Sequence, residues 1–468
     1  MEEYMKKKLL CLPVEVYKRE FDAKVFLGVK AIERGYQVVI GHHKDPVLLK
    51  TPVGFYLYKD HGRGSVRLVN KWYQDDCVVA ALDEEGLIRK SDNLYKQSRI
   101  NEETISRLEV VFAWGEDQKS LLERSGVEKN IVVSGNPRFD LLYLLNKASH
   151  QHDGCGDSGK EFGRKKVLVN TRFGSINSAI GDQYVENMRR CGELETEEDV
   201  KEWENFARNE RIVFDEFIKL IDILGEEEEL DVIIRPHPEE LKDTYEKVAG
   251  KYPNIAVDFD SSLVEHLAWC DVLIHDGCTT AIEGKAMGKE VLGLRPPSVD
   301  YDYGTLANQF SINFETPRAL VDYLKQPEQG GGRGEGLDLA SSKIANFNSG
   351  DSFKKILDTI DGYEIPAVTL VDSKSCRSRK EFSHKAALAL YKWFPVKSVF
   401  KSEFLGLDKF IDLRKTYDKY DRAYPRITLH EIYASIEKAC RLSGDTHLLN
   451  RIDVEVLSHK SFRLSINP

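Results

Sequence analysis

Short apolar runs that end in polar turns recur through the chain, and this alternation constrains its fold more than any other feature. Within residues 1–147 the runs lie in KLLCLPV, YQVVIGHH, CVVAALDEEG, LEVVFAWG and NIVVSGNPRFD. The first two are separated by DAKVFLGVKAIERG, in which Val25, Phe26 and Val29 recur at helical spacing and Gly35 provides a stop. Strands that alternate with amphipathic helices are typical of a parallel sheet with crossover connections. The pattern therefore predicts an α/β fold.

The alternation starts again after a polar, glycine-rich interval, SHQHDGCGDSGKEFGRKK. The later apolar runs lie in KVLVNTRFG, LDVIIRPHP, NIAVDFD, CDVLIHDGCTT and KEVLGLRPP. The polar stretch between Asn177 and Leu224 is predicted to form a pair of surface helices that covers the second sheet. Because 468 residues are more than one ordinary core accommodates, two doubly wound halves that face each other are the simplest assembly.

Composition marks the boundaries between the units. The break QGGGRGEG precedes a region of amphipathic helices with aromatic anchors. These helices either pack on the core as an appendage or present a face to a membrane or a partner, and Lys392, Lys397 and Lys401 keep the second alternative open. The predicted units are an N-terminal Rossmann-like domain (1–147), a flexible linker (148–165), a C-terminal Rossmann-like domain (166–325), a flexible segment (326–350) and a helical C-terminal extension (351–468).

Bulk properties exclude several classes of protein. The 67 lysines and arginines against 77 acidic residues give a net charge of −10, which argues against a nucleic-acid partner. No apolar run approaches the roughly 18 residues of a membrane-spanning helix, and the basic N-terminus leads into Pro13 and Glu15 rather than into a signal-peptide cleavage site. We therefore expect a cytoplasmic protein. The eight cysteines form no CxxC pair, and the chain has neither a GxxxxGK[ST] loop nor an HExxH motif, so no metal site and no cofactor are predicted.

The stretch RPHPEE follows the apolar run LDVII, so Arg235 and His237 stand at a predicted strand end between two prolines. Ligands of open parallel sheets bind beyond the carboxyl ends of the strands. Arg235 offers a fork of hydrogen-bond donors, and His237 can donate to a phosphate or protonate it, while the prolines restrict the backbone. The alternative is a histidine that merely caps the edge of a sheet.

A second polar cluster, HDGCTT, follows the apolar run CDVLI, and one strand–helix unit separates it from RPHP. Gly277 lets the chain turn, and Thr279 and Thr280 open a helix whose positive end suits an anion. An ordinary threonine cap of a helix is the alternative. Together with RPHP, this cluster predicts that an imidazole and a helix start converge from neighbouring strands on one anion pocket.

Two more turns at strand ends contribute candidates for the same opening. In GNPRFD, Gly135 and Asn136 allow the backbone to approach a ligand that Arg138 or Asp140 can contact, unless the turn is only structural. In NTRFG, Arg172 also follows a predicted strand and can line the opening.

The segment DEEG places three carboxylates in a row at another strand end. Asp83, Glu84 and Glu85 form either a solvated loop or a nucleophile or general base that faces the phosphate site across a cleft, with Arg89 as a candidate cation partner.

Taken together, these motifs resemble those of bacterial surface carbohydrate biosynthesis proteins, which are relatives of retaining β-Kdo transferases. The resemblance covers residues 6–320, and DEEGLIRKS, GNPRFD, RPHPEE and HDGCTTAIEG carry it. It implies two Rossmann-like domains of the GT-B type that face each other across a cleft, with the acceptor on the side of the N-terminal domain and the nucleotide on the C-terminal one.

The resemblance also implies roles for individual residues. His237, Thr279 and Thr280 match the positions that hold the phosphate of a CMP-activated sugar. The segment EEGLIRKS resembles one in capsule Kdo transferases, and the retaining members use a carboxylate nucleophile, which implies catalysis by Glu85, with Asp83 or Glu84 as alternatives.

The expected function is transfer of Kdo or a related ulosonic acid from a CMP-sugar to a glycan or lipid-linked acceptor, without a metal. A peripheral position at the inner face of the cell membrane is an alternative to a purely cytoplasmic one. A second resemblance, to CDP-glycerol glycerophosphotransferases of teichoic acid synthesis, rests on the GxPRxD segment, the HP pair and the Ser/Thr-rich helix start. A non-catalytic scaffold that binds sugar nucleotides in a polysaccharide-assembly complex is the third alternative.

Overall fold

The computed structural model describes residues 6–45, 47–87, 92–153, 164–179, 181, 185–186, 189, 196–299, 305–326, 340, 343–347, 349–371 and 424–466. The linker core GCGDSGKEFG, the QGGGRGEG segment, Arg89, Lys392, Lys397 and Lys401 lie outside the described residues. Within the described part, strands form two sheets that are mainly parallel, which confirms the predicted α/β class with two Rossmann-like domains.

The first domain alternates strands and helices as the sequence predicts. Helix α1 (Tyr17–Glu33) ends just before Gly35, whose φ of +87° lies in the left-handed region that glycine adopts most readily. The parallel strands are β1 (Lys6–Val14), β2 (Gln37–His42), β3 (Phe55–Tyr58), β4 (Val78–Leu82), β5 (Val110–Ala113) and β6 (Asn130–Val133). The other helices are α2 (Val66–Gln74), α3 (Asp92–Arg99), α4 (Glu102–Ser106), α5 (Glu116–Arg124) and α6 (Pro137–Asp153).

The second domain repeats the alternation. Its strands are β7 (Lys165–Asn170), β8 (Leu230–Arg235), β9 (Ile255–Val257), β10 (Val272–His275), β11 (Glu290–Leu294) and β12 (Ile312–Phe314). Its helices are α7 (Glu197–Gly225), α8 (Lys242–Ala249), α9 (Leu263–Trp269), α10 (Thr280–Ala286), α11 (Thr305–Gln309) and α12 (Pro317–Leu324). Where the sequence predicted a pair of surface helices, α7 is one long helix, and much of the stretch before it lies outside the described residues.

The described part of the C-terminal region holds helices, as predicted, and also strands that the sequence reasoning missed. The helices are α13 (Ser352–Asp361) and α14 (Leu429–Ser443); the strands are β13 (Ala367–Thr369), β14 (Ile452–Ser458) and β15 (Ser461–Ile466). Strand β15 pairs antiparallel with β2, and β14 pairs with β15, so this hairpin extends the first sheet. The strand signal is the period-2 alternation in IDVEVLS, which the helical periodicity before it obscured.

Strand order determines where each sheet can bind a ligand. The first sheet has the order β14-β15-β2-β1-β3-β4-β5-β6, with β13 paired to β1, and the second has the order β12-β11-β10-β7-β8-β9. In the second sheet the connections run one way from β7 to β8 and β9, and the other way to β10, β11 and β12. The crevice at such a reversal, outside the carboxyl ends of the strands, is where open α/β sheets bind ligands. We therefore expect a ligand of the second sheet to contact the segments after β7 and β10.

The two domains are in contact near these carboxyl ends. Helix α6 of the first domain packs against α10 of the second. On another side of the interface, the ammonium of Lys18 in α1 donates to the carbonyl oxygen of Phe259, which follows β9, at 2.5 Å. Residues from the starts of α1 and α6 thus stand beside the ligand edge of the second sheet.

Candidate functional site

An ion pair spans the reversal point of the second sheet. Arg172 follows β7 and Asp276 follows β10, and the Nε atom of Arg172 lies 3.1 Å from a carboxylate oxygen of Asp276. The Asp276 side chain is only 2% exposed, and its burial raises the pKa of the carboxyl although Arg172 acts in the opposite direction. Strand pairing of β7 with β10 is what brings these two residues together across a hundred positions of sequence.

The RPHP turn stands one strand further along. Strand β8 pairs with β7, so β7 lies between His237 and the threonines that follow β10. The expectation that the imidazole and the helix start come from neighbouring strands is therefore wrong. Both nevertheless stand at the carboxyl edge of one sheet, with the β7 segment containing Arg172 between them.

One local hydrogen bond sets the tautomer of His237, and its surroundings set its charge. The backbone N–H of Glu239 donates to Nδ1 of His237 at 3.3 Å, so in the neutral ring the proton resides on Nε2. Loss of surrounding water is the largest cause that lowers the pKa of His237; Arg235, Arg172 and Arg19 lower it further, against the opposing effect of Glu239. At neutral pH the ring is therefore an uncharged hydrogen-bond donor among cations.

Arg235 has an unused donor in a largely buried position. One terminal nitrogen donates to the side-chain oxygen of Asn170 at 3.1 Å. The Nε atom is buried and has no acceptor among the residues that the structure describes. Burial lowers the pKa of Arg235. A buried donor without an acceptor is costly in a folded protein, so this Nε atom is a candidate contact for an anionic or carbonyl group of a ligand.

A buried glutamate that the sequence reasoning missed fixes the turn. One Glu240 oxygen accepts from the backbone N–H of His237 at 2.8 Å and from the hydroxyl of Thr171 at 2.8 Å; the other accepts from the hydroxyl of Tyr245. Glu240 is 3% exposed, and burial raises the pKa of its carboxyl to about 6. This residue ties the RPHP turn to the segment after β7, and the available signal was the second glutamate of RPHPEE.

The HDGCTT turn adopts a less ordinary geometry than a threonine cap. Gly277 has a φ of +111°, which strongly favours glycine, and its N–H donates to Nδ1 of His275 at 2.7 Å. Thr279 stands at the N-cap of α10, but its side chain makes no capping hydrogen bond. Thr280 is buried at the first position of that helix. The alternative that Thr279 is a simple side-chain cap is therefore not what the structure adopts.

The three carboxylates of DEEG have different surroundings. Asp83 is fully buried and accepts from the hydroxyl of Tyr95 at 2.8 Å. Glu84 is also buried and lies 2.9 Å from the ammonium of Lys24. Burial alone raises the pKa of Glu84, but Lys24 and Arg138 outweigh it and hold the pKa below its usual value.

Only the third carboxylate of this segment faces solvent. The Glu85 side chain is 43% exposed and is held between Arg19, at 2.9 Å, and Arg99. Burial opposes the shift, but these two arginines lower the pKa of Glu85 to about 2. Arg19, which holds Glu85, also lowers the pKa of His237, so Glu85 and the RPHP turn share a cation. The solvated-loop alternative describes neither Asp83 nor Glu84, which are buried.

The GNPRFD turn joins the two domains. The Asn136 amide donates to Glu84 at 3.1 Å, and Arg138 contacts both Glu84 and Glu283 of α10. A further carboxylate, Asp140, accepts from the backbone N–H groups of the first turn of α13 at 3.1 and 2.7 Å. These contacts account for the motif as an interdomain brace, and direct contact of Gly135, Asn136 or Arg138 with a nucleotide stays a prediction.

Two further properties of the described residues concern metal binding and membrane insertion. Among the residues that the structure describes, no group of three or more His, Cys, Asp and Glu side chains is arranged to hold a metal ion. Searched over the same residues, no helix has both the length and the apolar character required to cross a bilayer.

The fold and the site define an α/β protein with two Rossmann-like domains and a cationic ligand edge. No family model matches the chain, and no curated protein does. Among solved structures, the UDP complex of S. aureus MnaA is 15% identical, with a TM-score of 0.48 over 78% of this chain and 99% of that one. The UDP-GlcNAc-bound UDP-GlcNAc 2-epimerase of Neisseria meningitidis is 14% identical, with a TM-score of 0.46 over 76% and 100%. The wall teichoic acid polymerase TagF is 13% identical, with a TM-score of 0.43 over 77% and 89%. Similarities this remote do not assign an activity to this chain.

Proposed function

We propose that the protein is a glycosyltransferase that binds a CMP-activated sugar, Kdo or a related ulosonic acid, and transfers the sugar to a glycan or lipid-linked acceptor of surface polysaccharide synthesis. The phosphate of the donor binds at the edge formed by Arg172, Arg235, His237 and the Gly277–Thr280 turn. The observation that carries this proposal is the buried Nε of Arg235, which has no acceptor among the described residues.

The charges of the site suit departure of a nucleoside monophosphate. As the bond between sugar and phosphate breaks, negative charge develops on the phosphate oxygens, and donors fixed in advance stabilise it. Arg235 and Arg172 supply positive charge, while neutral His237 supplies a hydrogen bond from Nε2. Glu240 holds the backbone of His237, so little ordering is left for the moment of reaction.

Among the three carboxylates of DEEG, Glu85 is the one proposed to act on the sugar. Asp83 and Glu84 are buried and occupied by protein donors, whereas Glu85 is the most exposed. Its pKa of about 2 keeps it ionised at neutral pH. Glu85 therefore suits a nucleophile or a stabiliser of positive charge at the anomeric carbon better than it suits a proton carrier.

A calorimetric titration with CMP, CDP, UDP and GDP tests the nucleotide assignment. We expect CMP to bind, and His237→Ala to weaken its binding by about tenfold or more with unchanged thermal stability. His430→Ala removes an exposed histidine of α14 and serves as the matched control. Failure of wild-type protein to bind any of the four nucleotides, or unaltered CMP binding by the His237 variant, refutes the proposal.

Turnover separates the enzyme from its alternatives. A transferase releases CMP from the donor in the presence of an acceptor, whereas a scaffold binds nucleotide without release. Preference for CDP over CMP, with turnover of CDP-glycerol, would replace the sugar by glycerol phosphate. That second candidate is retained because its resemblance rests on the same HP pair and Ser/Thr-rich helix start.

A further inference from the structure

A cavity of about 330 Å³ opens beside the proposed phosphate site. It lies at the carboxyl ends of β10, β11 and β12, with Arg172 and Asp276 on one wall and α7 on another. Its volume is within the range of pockets that hold small molecules. The proposed phosphate site shares the Arg172–Asp276 wall of this cavity, and the other walls of the cavity have no role in phosphate binding.

The lining of the cavity differs in charge from the phosphate edge. Two arginines, Arg172 and Arg295, stand with three carboxylates, Asp276, Glu210 and Glu315. A second phosphate is therefore poorly matched, because carboxylates repel it at short range. Mixed donors and acceptors instead suit a ligand with many hydroxyl groups.

Amides and apolar surfaces add to this match. Asn308 and Asn313 contribute side-chain amides; the Asn313 nitrogen already donates to the backbone carbonyls of Asn308 and Ser311, so its oxygen is the atom that can accept from a ligand. Pro296, Pro297 and Phe314 contribute apolar surface. A few polar groups set among apolar walls fix the orientation of a small ligand, and a sugar ring offers both hydroxyls and C–H faces to such a wall.

We infer that this cavity receives the sugar of the nucleotide-activated donor, with Arg172 at the junction between the sugar and its phosphate. The inference rests on the proposed function and deepens it by assigning the sugar to a separate subsite. Asp276 and Glu210 accept from sugar hydroxyls, and Arg295, an exposed residue of the cavity wall, donates to sugar oxygens.

The position of Arg172 supports this division. Its Nε atom pairs with Asp276 in the cavity wall, and its charge acts on His237 at the phosphate edge. Sugar and phosphate are one bond apart in a sugar nucleotide, so two adjoining subsites that share one cation match the ligand.

The test compares binding of a bare nucleotide with that of a sugar nucleotide. Glu315→Trp narrows the cavity from an exposed position, and Arg295→Met removes a charge but keeps an apolar stem. Asp322→Trp and Arg318→Met make the same chemical changes at exposed positions of α12 that do not line the cavity. Circular dichroism and thermal unfolding confirm that each variant is folded.

Titrations use CMP and the tighter binder of CMP-Kdo and CMP-N-acetylneuraminate. We expect Glu315→Trp and Arg295→Met to weaken binding of the sugar nucleotide by about tenfold and binding of CMP by less than about twofold, with both control variants unaffected. Equal losses for CMP and the sugar nucleotide would place the nucleoside in the cavity and overturn the inference. No loss for either ligand would also overturn it. If wild-type protein binds none of these ligands, the proposed function fails, and the inference fails with it.

Discussion

Glu240 carries a buried carboxylate whose ionisation is expected to cost folding free energy at neutral pH. The perturbation that exposes this cost is Glu240→Gln, which keeps the size of the side chain and removes its charge. The amide oxygen can accept from the backbone of His237 and the hydroxyl of Thr171, while the amide nitrogen donates to the oxygen of Tyr245. The variant therefore keeps the two hydrogen bonds that hold the turn and reverses the direction of the one to Tyr245.

The magnitude follows from the pKa of the folded protein. Burial raises the pKa of Glu240 from its ordinary value of 4.5 to about 6. A difference of one pKa unit corresponds to about 1.4 kcal/mol, so the whole change is about 2 kcal/mol. The pKa of Glu240 is higher in the folded than in the unfolded protein. The contribution of the protonated carboxyl to the free energy of unfolding is therefore fully present below pH 4.5 and is lost as pH rises through about 6.

The assay is urea unfolding of both proteins between pH 4.5 and 7.5, followed by tryptophan fluorescence and circular dichroism. The free energy of unfolding of Glu240→Gln minus that of wild type should rise by about 2 kcal/mol across this range, because effects of other titrating groups cancel in the difference. A difference that stays flat, or that falls as pH rises, would refute the reasoning.

The remaining predictions concern the interdomain brace. Arg138→Met leaves Glu84 and Glu283 buried without the guanidinium that contacts both of them. The free energy of unfolding, measured with urea, should fall by about 3 kcal/mol. A loss below about 1 kcal/mol would show that the brace is not a stabilising contact. Gly135→Ala combines a φ of +76° with a Cβ that would lie 2.1 Å from a backbone carbonyl oxygen, whereas Gly126→Ala has a φ of +84° and open space. The first variant should therefore lose more stability in the same assay than the second, whose cost is conformational strain of about 1 kcal/mol, and equal losses would contradict the clash.

Local pattern was sufficient to predict most of the parallel strands. Runs such as LDVIIR and CDVLIH are short, rich in Val, Ile and Leu and followed by turn residues, which favours strands, and α1 follows from the spacing of Val25, Phe26 and Val29. Strand β3 and the hairpin of β14 and β15 were missed, since short strands whose neighbours are distant in sequence leave a weak local signal. The pairing of β15 with β2 links residues more than four hundred positions apart.

The candidate site divides in the same way. Proline-flanked His237 and Arg235 could be named from the sequence, because the strand end and the rigid turn are local features. Glu240 and Arg19 could not, since their importance depends on which distant groups they meet.

The three carboxylates of DEEG illustrate why some features of the site are predictable from sequence and others are not. An α/β chain with polar turns at its strand ends is predictable from the sequence alone, because residue periodicity and turn chemistry act over a few positions. The burial and bracing of Asp83 and Glu84, and the position of Glu85 between two arginines, follow only from the three-dimensional arrangement. Burial and ion pairing depend on residues that strand order and domain contact bring together. The residues adjacent in sequence therefore do not indicate them.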